Sequence, residues 1–118
     1  MKFQVAEEHR SRIHTLFVDI LGASTIPPPV PSVDIFVLSD GFVLGFFFVP
    51  EAETLTERQC LDGTWLEIMT ADPDGLKSRL LTFGVKEVEY WDKHHFYFHA
   101  PGGPVFRIAP ETERAPRP

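Results

Sequence analysis

The feature that most constrains the fold of this chain is a repeated order of structural signals. In each half, a strand-like segment precedes a helical segment that ends at a glycine, and strands closed by a hairpin follow. The helix-ending glycines Gly22 and Gly84 are 62 residues apart, and the hairpin glycines Gly41 and Gly103 have the same separation. Because a unit of this size cannot bury its sheet alone, we predict two βαβββ units in one α+β domain. We expect them to share one curved, mixed or antiparallel sheet with the helices outside.

The two helices are predicted from apolar spacing and from their ends. Apolar residues at helical spacing predict a first helix over about 9–21. Asp72-Pro73 is typical of a helix start, with aspartate as the N-cap and proline at the first helical position, so the second helix should cover 73–83.

The predicted strands are short β-rich segments between turn signals. They cover residues 2–6, 33–38, 42–49, 64–70, 85–90, 94–99 and 105–109. The four prolines within 23–32 predict a loop or a poor edge strand, because proline cannot donate to a ladder. The polar stretch 50–63 should be a surface connection. We therefore predict one domain over 1–110, with modules of about 1–50 and 63–110, and a flexible tail over 111–118.

Charge and composition exclude several classes of function. The 118-residue chain has a formal net charge of −6 and no cluster of lysine and arginine, so we expect no nucleic-acid partner. No apolar run reaches the roughly 18 residues of a membrane span. Cys60 is the single cysteine, which excludes an intramolecular disulfide and a cysteine-based zinc site. With no signal-peptide pattern, the expected location is cytoplasmic, without a membrane partner.

Two stretches carry a resemblance to a known family. Asp19-Ile20-Leu21-Gly22 closes the first helix, and the pattern of 65–108 includes Phe96-Tyr97-Phe98-His99-Ala100-Pro101-Gly102-Gly103 before the last strand. This pattern resembles the vicinal-oxygen-chelate superfamily, which includes glyoxalase I, bleomycin-resistance proteins, fosfomycin-resistance enzymes and extradiol dioxygenases. The resemblance implies paired βαβββ modules around a U-shaped cleft, and a homodimer. The proline-rich stretch departs from the family, because it falls where a strand is expected.

The resemblance also places the metal ligands of the metal-using members. The four positions fall at Lys2 (or Gln4), Gly45, Trp65 and Arg107, the last where the family has a glutamate. None of Lys, Gly, Trp or Arg is a credible ligand for a divalent cation. We therefore expect no metal and no other cofactor.

Strand alternation predicts which side chains line the cleft. One wall should be polar and aromatic, and the facing wall, around Phe47 and Gly45, apolar. The candidate ligand-binding residues are Arg107, Trp65, Glu67, Tyr97, His95, His99 and Phe47. The resemblance places a substrate-contacting tyrosine of fosfomycin-resistance enzymes at about Tyr97.

Each candidate has a functional and a structural interpretation. Arg107 could hold a carboxylate, phosphate or carbonyl of a ligand, or form an ion pair with Glu67. Trp65 could stack on a planar ligand or fill the space of the missing metal. His95 and Tyr97 could be a catalytic base and acid, or lining groups with satisfied hydrogen bonds.

Three functions remain open from the sequence. The first is a metal-independent protein that binds a planar or anionic small molecule. The second is a metal-independent enzyme, of isomerase, lyase or transferase type, that uses His95, Tyr97 and Arg107. The third is a degenerate module that acts only in protein–protein contacts.

Overall fold

A computed structural model describes residues 1–113 and shows two βαβββ modules joined by a short helix. The first module contains strands β1 (Lys2–Ala6), β2 (Ser24–Ile26), β3 (Val33–Val37) and β4 (Val43–Val49). The second contains β5 (Trp65–Thr70), β6 (Lys86–Val88), β7 (Phe96–His99) and β8 (Val105–Pro110). The predicted α+β class and the paired modules are confirmed.

The helices match the prediction in position and differ in detail. Helix α1 runs over Arg10–His14 and continues as a π-helical segment over Thr15–Ile20, after a 3₁₀ turn at Glu7–His9. Helix α3 covers Pro73–Phe83 as predicted, and the Asp72 side chain accepts a hydrogen bond from the Gly75 amide. No helix among residues 1–113 is long and apolar enough to span a bilayer.

The predicted surface connection contains a helix that the sequence analysis missed. Helix α2 (Glu57–Gly63) begins at a capping box. The Thr56 hydroxyl accepts a hydrogen bond from the Gln59 amide, and the Gln59 side-chain oxygen accepts one from the Thr56 amide. Its residues Cys60 and Leu61 pack on Val105 and Tyr97 of the second sheet. The linker therefore covers part of that sheet's face.

The proline-rich stretch agrees with the predicted poor edge strand, because only three residues, Ser24–Ile26, form a strand at the edge of the first sheet before the prolines begin. Strand β2 lies just before the prolines and pairs with β3, so the first module has its full set of strands. At the other end, Glu111–Glu113 forms a 3₁₀ turn. Residues 114–118 of the predicted tail lie outside the described residues.

Each module forms its own ladder, rather than half of one curved sheet. The strand orders are β1-β4-β3-β2 and β5-β8-β7-β6, with β1–β4 and β5–β8 parallel and the other pairs antiparallel. The Phe17 ring of the π-helical segment contacts Phe36 of β3 and Phe106 of β8, with ring centroids 5.4 and 5.6 Å apart. If β1 lay beside β5 in one continuous sheet, β3 and β8 would be separated by four inter-strand spacings, about 19 Å. One phenylalanine ring could not contact both strands across that distance.

The two sheets therefore pack their helix-side faces on a common core, and their other faces point outward. The core includes phenylalanines from both modules, among them Phe36, Phe46, Phe98 and Phe106. We call the outward sides the first open face and the second open face. Among residues 1–113, the side-chain hydrogen bonds, ion pairs and ring contacts include none between these faces. The single curved sheet expected from the sequence is thus two separate four-stranded sheets in this chain.

Candidate functional site

The register of the second sheet brings most of the candidate residues together. Glu67 of β5 is paired with Arg107 of β8, and Arg107 is paired with Tyr97 of β7. Because side chains alternate along a strand, Trp65 shares the second open face with Glu67, and His95 shares it with Tyr97. Three neighbouring strands thus present these side chains side by side.

Arg107 is the centre of this group, and all three of its guanidinium nitrogens have partners. Nε donates to Glu67 Oε1 at 2.7 Å, and a second nitrogen lies 2.6 Å from the same oxygen. The remaining nitrogen donates to the Tyr97 hydroxyl at 3.2 Å and lies 3.5 Å from Asp92 Oδ2. The Arg107–Glu67 ion pair considered in the sequence analysis is therefore present.

Trp65 lies over Arg107 and is partly open to solvent. The Arg107 guanidinium carbon is 4.2 Å from the indole centroid, a cation–π arrangement, and the Tyr97 ring meets the indole edge-on at 5.8 Å. The indole remains 37% exposed. Trp65 thus covers the guanidinium from one side and leaves part of its ring accessible.

His95 is held between two carboxylates that the sequence analysis did not identify. Its Nδ1 lies 2.6 Å from Asp92 Oδ2, and its Nε2 lies 2.6 Å from Glu113 Oε1. Ionised carboxylates only accept hydrogen bonds, so this geometry favours the imidazolium form of His95, in which both ring nitrogens donate. Asp92 and Glu113 lie in a loop and in the C-terminal turn, where strand alternation gives no signal.

The pKa shifts follow this network. Burial acts to raise the pKa of Asp92, but hydrogen bonds from the His94 amide, His95 and Tyr97 outweigh it and hold the pKa at about 2. The hydrogen bond to Glu113 raises the pKa of His95 above its usual value, against the opposing effect of burial. Burial raises the pKa of Tyr97. His95 is therefore poorly suited to act as a base, and Tyr97 stays protonated at neutral pH.

Two predicted site residues lie away from this group. His99 Nδ1 is 2.6 Å from the Gly103 carbonyl oxygen, and its Nε2 lies 3.7 Å from Glu57 of α2. Phe47 belongs to the first open face, where the Lys2 ammonium lies 4.7 Å from its ring centroid. The structure thus brings together Trp65, Glu67, His95, Tyr97 and Arg107, and leaves His99 and Phe47 elsewhere.

The residues at the family's ligand positions do not fit a divalent cation. Lys2 and Gly45 pair in register on the first sheet, and Trp65 and Arg107 stack on the second. An ammonium, a glycine, an indole and a guanidinium offer no donor for a metal ion. Among residues 1–113, no group of three or more His, Cys, Asp or Glu side chains is arranged to hold a metal.

Cavities lie around this group rather than at its centre. Four surface cavities have volumes between about 350 and 710 Å³, and Trp65 and Arg107 line none of these four. Glu67 borders one of them, and Asp92, His95 and Glu113 border another. Within the group, Trp65 and Glu67 are exposed, whereas the Arg107 side chain is only 21% exposed and Tyr97 is buried.

Comparisons with known proteins find likeness in structure and none in sequence. No protein-family model matches the chain, and no curated protein matches it. The fosfomycin resistance protein FosX from Listeria monocytogenes superposes with a TM-score of 0.71 at 14% identity, covering 96% of this chain and 89% of that one. FosX from Mesorhizobium loti superposes with a TM-score of 0.67 at 15% identity, covering 97% of this chain and 92% of that one.

A third solved structure extends the likeness beyond the FosX proteins. A possible glyoxalase from Bacillus cereus superposes with a TM-score of 0.63 at 18% identity, covering 92% of this chain and 93% of that one. These full-length superpositions agree with the two βαβββ modules described above. The chain therefore has the fold of the vicinal-oxygen-chelate superfamily, as its sequence pattern suggested.

Proposed function

We propose that this chain binds a planar or anionic small molecule, without a metal ion, on the second open face around Trp65 and Arg107. The observation that carries the proposal is the partly exposed indole stacked on a guanidinium, where metal-using members place their ligands. A guanidinium supplies a fixed positive charge and forked donors, which suit a carboxylate, a phosphonate or a carbonyl group.

Glu67 has the geometry of a displaceable counter-ion. Two nitrogens of Arg107 point to the same Glu67 oxygen, and the Glu67 side chain is 29% exposed. A ligand anion would take the place of this oxygen, while Tyr97 and Asp92 keep the third nitrogen in position. Because the guanidinium is already oriented, binding orders few additional groups.

The structural neighbours bind small molecules of a compatible kind. One FosX structure from Listeria monocytogenes is a complex with Mn(II) and 1S,2S-dihydroxypropylphosphonic acid, a small anion. In this chain the proposed ligand would meet Arg107 in place of a metal. We do not carry the neighbours' reaction over, since the similarity at 13% identity concerns the fold.

The enzyme alternative has less support from the geometry. His95 would have to act with Tyr97, but both ring nitrogens of His95 donate to carboxylates and the Tyr97 side chain is buried. A proton donor or acceptor must reach the substrate within hydrogen-bond distance. These contacts favour a supporting role for His95 and Tyr97 beneath Arg107.

We further propose that the protein is a homodimer. The two open faces of one chain point outward, and the first carries exposed apolar side chains such as Val43, which is 46% exposed. A second copy that packs on this face would bury these side chains. Sedimentation equilibrium should give twice the 13.4 kDa chain mass at micromolar concentration, and a monomer at high micromolar concentration would overturn the dimer.

A thermal-shift screen with matched variants tests the binding proposal. Benzoate and phenylphosphonate should raise the melting temperature, and neutral benzamide should do so less. Glu67→Gln should strengthen benzoate binding about fivefold by removing the competing carboxylate, while Arg107→Gln should abolish it. If Glu67→Gln only lowers the melting temperature and no anion shifts it, the ion pair is purely structural and the proposal fails.

A further inference from the structure

A separate apolar groove lies between the edge strand β1 and the linker helix α2. Its volume is about 380 Å³, and Trp65 and Arg107 are not among its lining residues. Phe3 of β1 and Cys60 of α2 border it, together with Pro104 and the 4% exposed Val105 at the start of β8. A volume near the lower end of the usual range for ligand cavities suits one small molecule.

A glycine keeps one side of this groove open. Gly63, the last residue of α2, borders the groove, and a Cβ atom added there would meet nothing within 4 Å. Gly63 does not have a positive φ, so a larger residue can adopt the same backbone. The residue can therefore be enlarged to fill the groove without backbone strain.

The charge around this groove differs from the charge of the chain as a whole. The chain has a net charge of −6, and carboxylates border each of the other three cavities. Around this groove the charged groups are the Lys2 side chain and the Met1 α-ammonium, which donates to the Val43 carbonyl, and the uncharged polar side chains are Gln4, Gln59 and Thr64. Among residues 1–113 the ion pairs include none with Lys2, and its ammonium contacts the Phe47 ring of the first open face, 4.7 Å away, which an anion in the groove would have to compete with.

We propose that this groove is a second binding site, for a small apolar molecule that carries one negative charge. The hydrocarbon part would lie against Phe3, Cys60 and Val105, and the carboxylate or sulfonate would face the Lys2 ammonium. Apolar contact provides most of the attraction, and the lysine selects the anion over a neutral analogue. Medium-chain carboxylates and bicyclic aromatic acids are the matching classes.

Cys60 gives a direct readout of this site, because it is the only cysteine in the chain and borders the groove. Burial raises the pKa of its thiol, so alkylation by iodoacetamide should be slow. A ligand that covers the thiol should slow the alkylation further. The probes are octanoate and its neutral analogue octanamide, added to the full chain. Octanoate should slow alkylation in a saturable way, and octanamide should protect less.

Two variants and one control complete the experiment. Lys2→Gln should weaken octanoate protection by roughly two- to fivefold and leave octanamide protection unchanged, as expected for an exposed charge pair. Gly63→Leu should fill the groove and abolish protection by both probes. Lys93→Gln removes a positive charge in the β6–β7 loop, outside the lining of this groove, and should have no effect on protection.

Each contrary result overturns the proposal. If neither probe slows alkylation, the groove binds no such ligand. If octanoate and octanamide protect equally in the wild-type chain, the site does not select an anion. If alkylation instead slows with rising protein concentration and the probes have no effect, a second copy of the chain is the occupant.

Discussion

The centre of the second open face shows how one residue type changes what a site can recognise. A bound metal would supply a compact charge with open coordination positions, whereas Arg107 supplies a flat, delocalised charge with donors in fixed directions. The guanidinium of Arg107 is held on one side by the Tyr97 hydroxyl, 3.2 Å from one of its nitrogens. On the other side lies the Trp65 indole, whose centroid is 4.2 Å from the guanidinium carbon. A lysine at position 107 would keep the positive charge but would lose the paired N–H donors and the flat surface that stacks on the indole.

The first prediction concerns this difference between arginine and lysine. Arg107→Lys should weaken benzoate binding about tenfold, because the paired donors and the indole contact are lost while the charge is retained. The measurement is isothermal titration of the wild-type chain and the variant with benzoate. Equal affinities would mean that charge alone attracts the ligand.

The second prediction concerns the pH dependence of stability. The pKa of His95 is raised in the folded chain, so its contribution is complete below the unfolded value of about 6.5 and is lost as pH rises through the folded pKa. The pKa of Asp92 is lowered to about 2, so its contribution is present above about 3.8 and is lost as pH falls toward 2. Resistance to urea should therefore be greatest between about pH 4 and 6.5.

His95→Gln should remove most of the loss of stability above pH 6.5. His94→Gln is the matched control, because the exposed neighbour holds Asp92 only through its backbone amide. The measurement is the urea midpoint from pH 3 to 9. If His95→Gln and the wild-type chain have parallel profiles, the imidazolium assignment is wrong.

At the scale of elements, the sequence predicted segments with local signals and missed those set by tertiary contacts. Helix α3 matches its predicted bounds because its cap, its first proline and the closing glycine are all local. Helix α2 was missed although Thr56 and Gln59 form a capping box, since the stretch is polar and only seven residues are helical. Asp92 and Glu113 reach His95 from a loop and a terminal turn, and no periodic pattern could place them.

The third prediction tests the cap of helix α3. Asp72→Ala should lower the free energy of unfolding by about 1 kcal/mol, because the Gly75 amide loses its acceptor, whereas Asp72→Asn should retain most of the stability. Urea denaturation at neutral pH measures both. Equal losses in the two variants would show that the negative charge, rather than the cap hydrogen bond, stabilises the helix.

At the scale of the whole molecule, the two modules depend on one core. Phe17 of the first module contacts Phe106 of the second, and Phe3 lies 6.1 Å from the same ring. The sequence analysis recognised the two modules from their repeated order, but it placed them in one sheet around a cleft. The face-to-face packing depends on contacts between residues about 90 positions apart, which no local pattern contains.

The fourth prediction follows from this shared core. Phe17→Ala should lower the free energy of unfolding by about 3–5 kcal/mol. Both tryptophans lie in the second module, so their fluorescence reports unfolding away from the substituted residue. The fluorescence and far-UV circular dichroism transitions should shift together. An unshifted fluorescence transition would mean that the modules fold independently.

The central claim is that Trp65 and Arg107 bind a small molecule without a metal, and one titration tests it most directly. Trp91→Phe leaves Trp65 as the only tryptophan, and Trp65→Phe leaves the 81% exposed Trp91 as the control. Phenylphosphonate, titrated in excess EDTA, should quench the Trp65 fluorescence to a saturating value and leave Trp91 unaffected. An absence of quenching in EDTA, with quenching restored by Mn²⁺, would contradict the account.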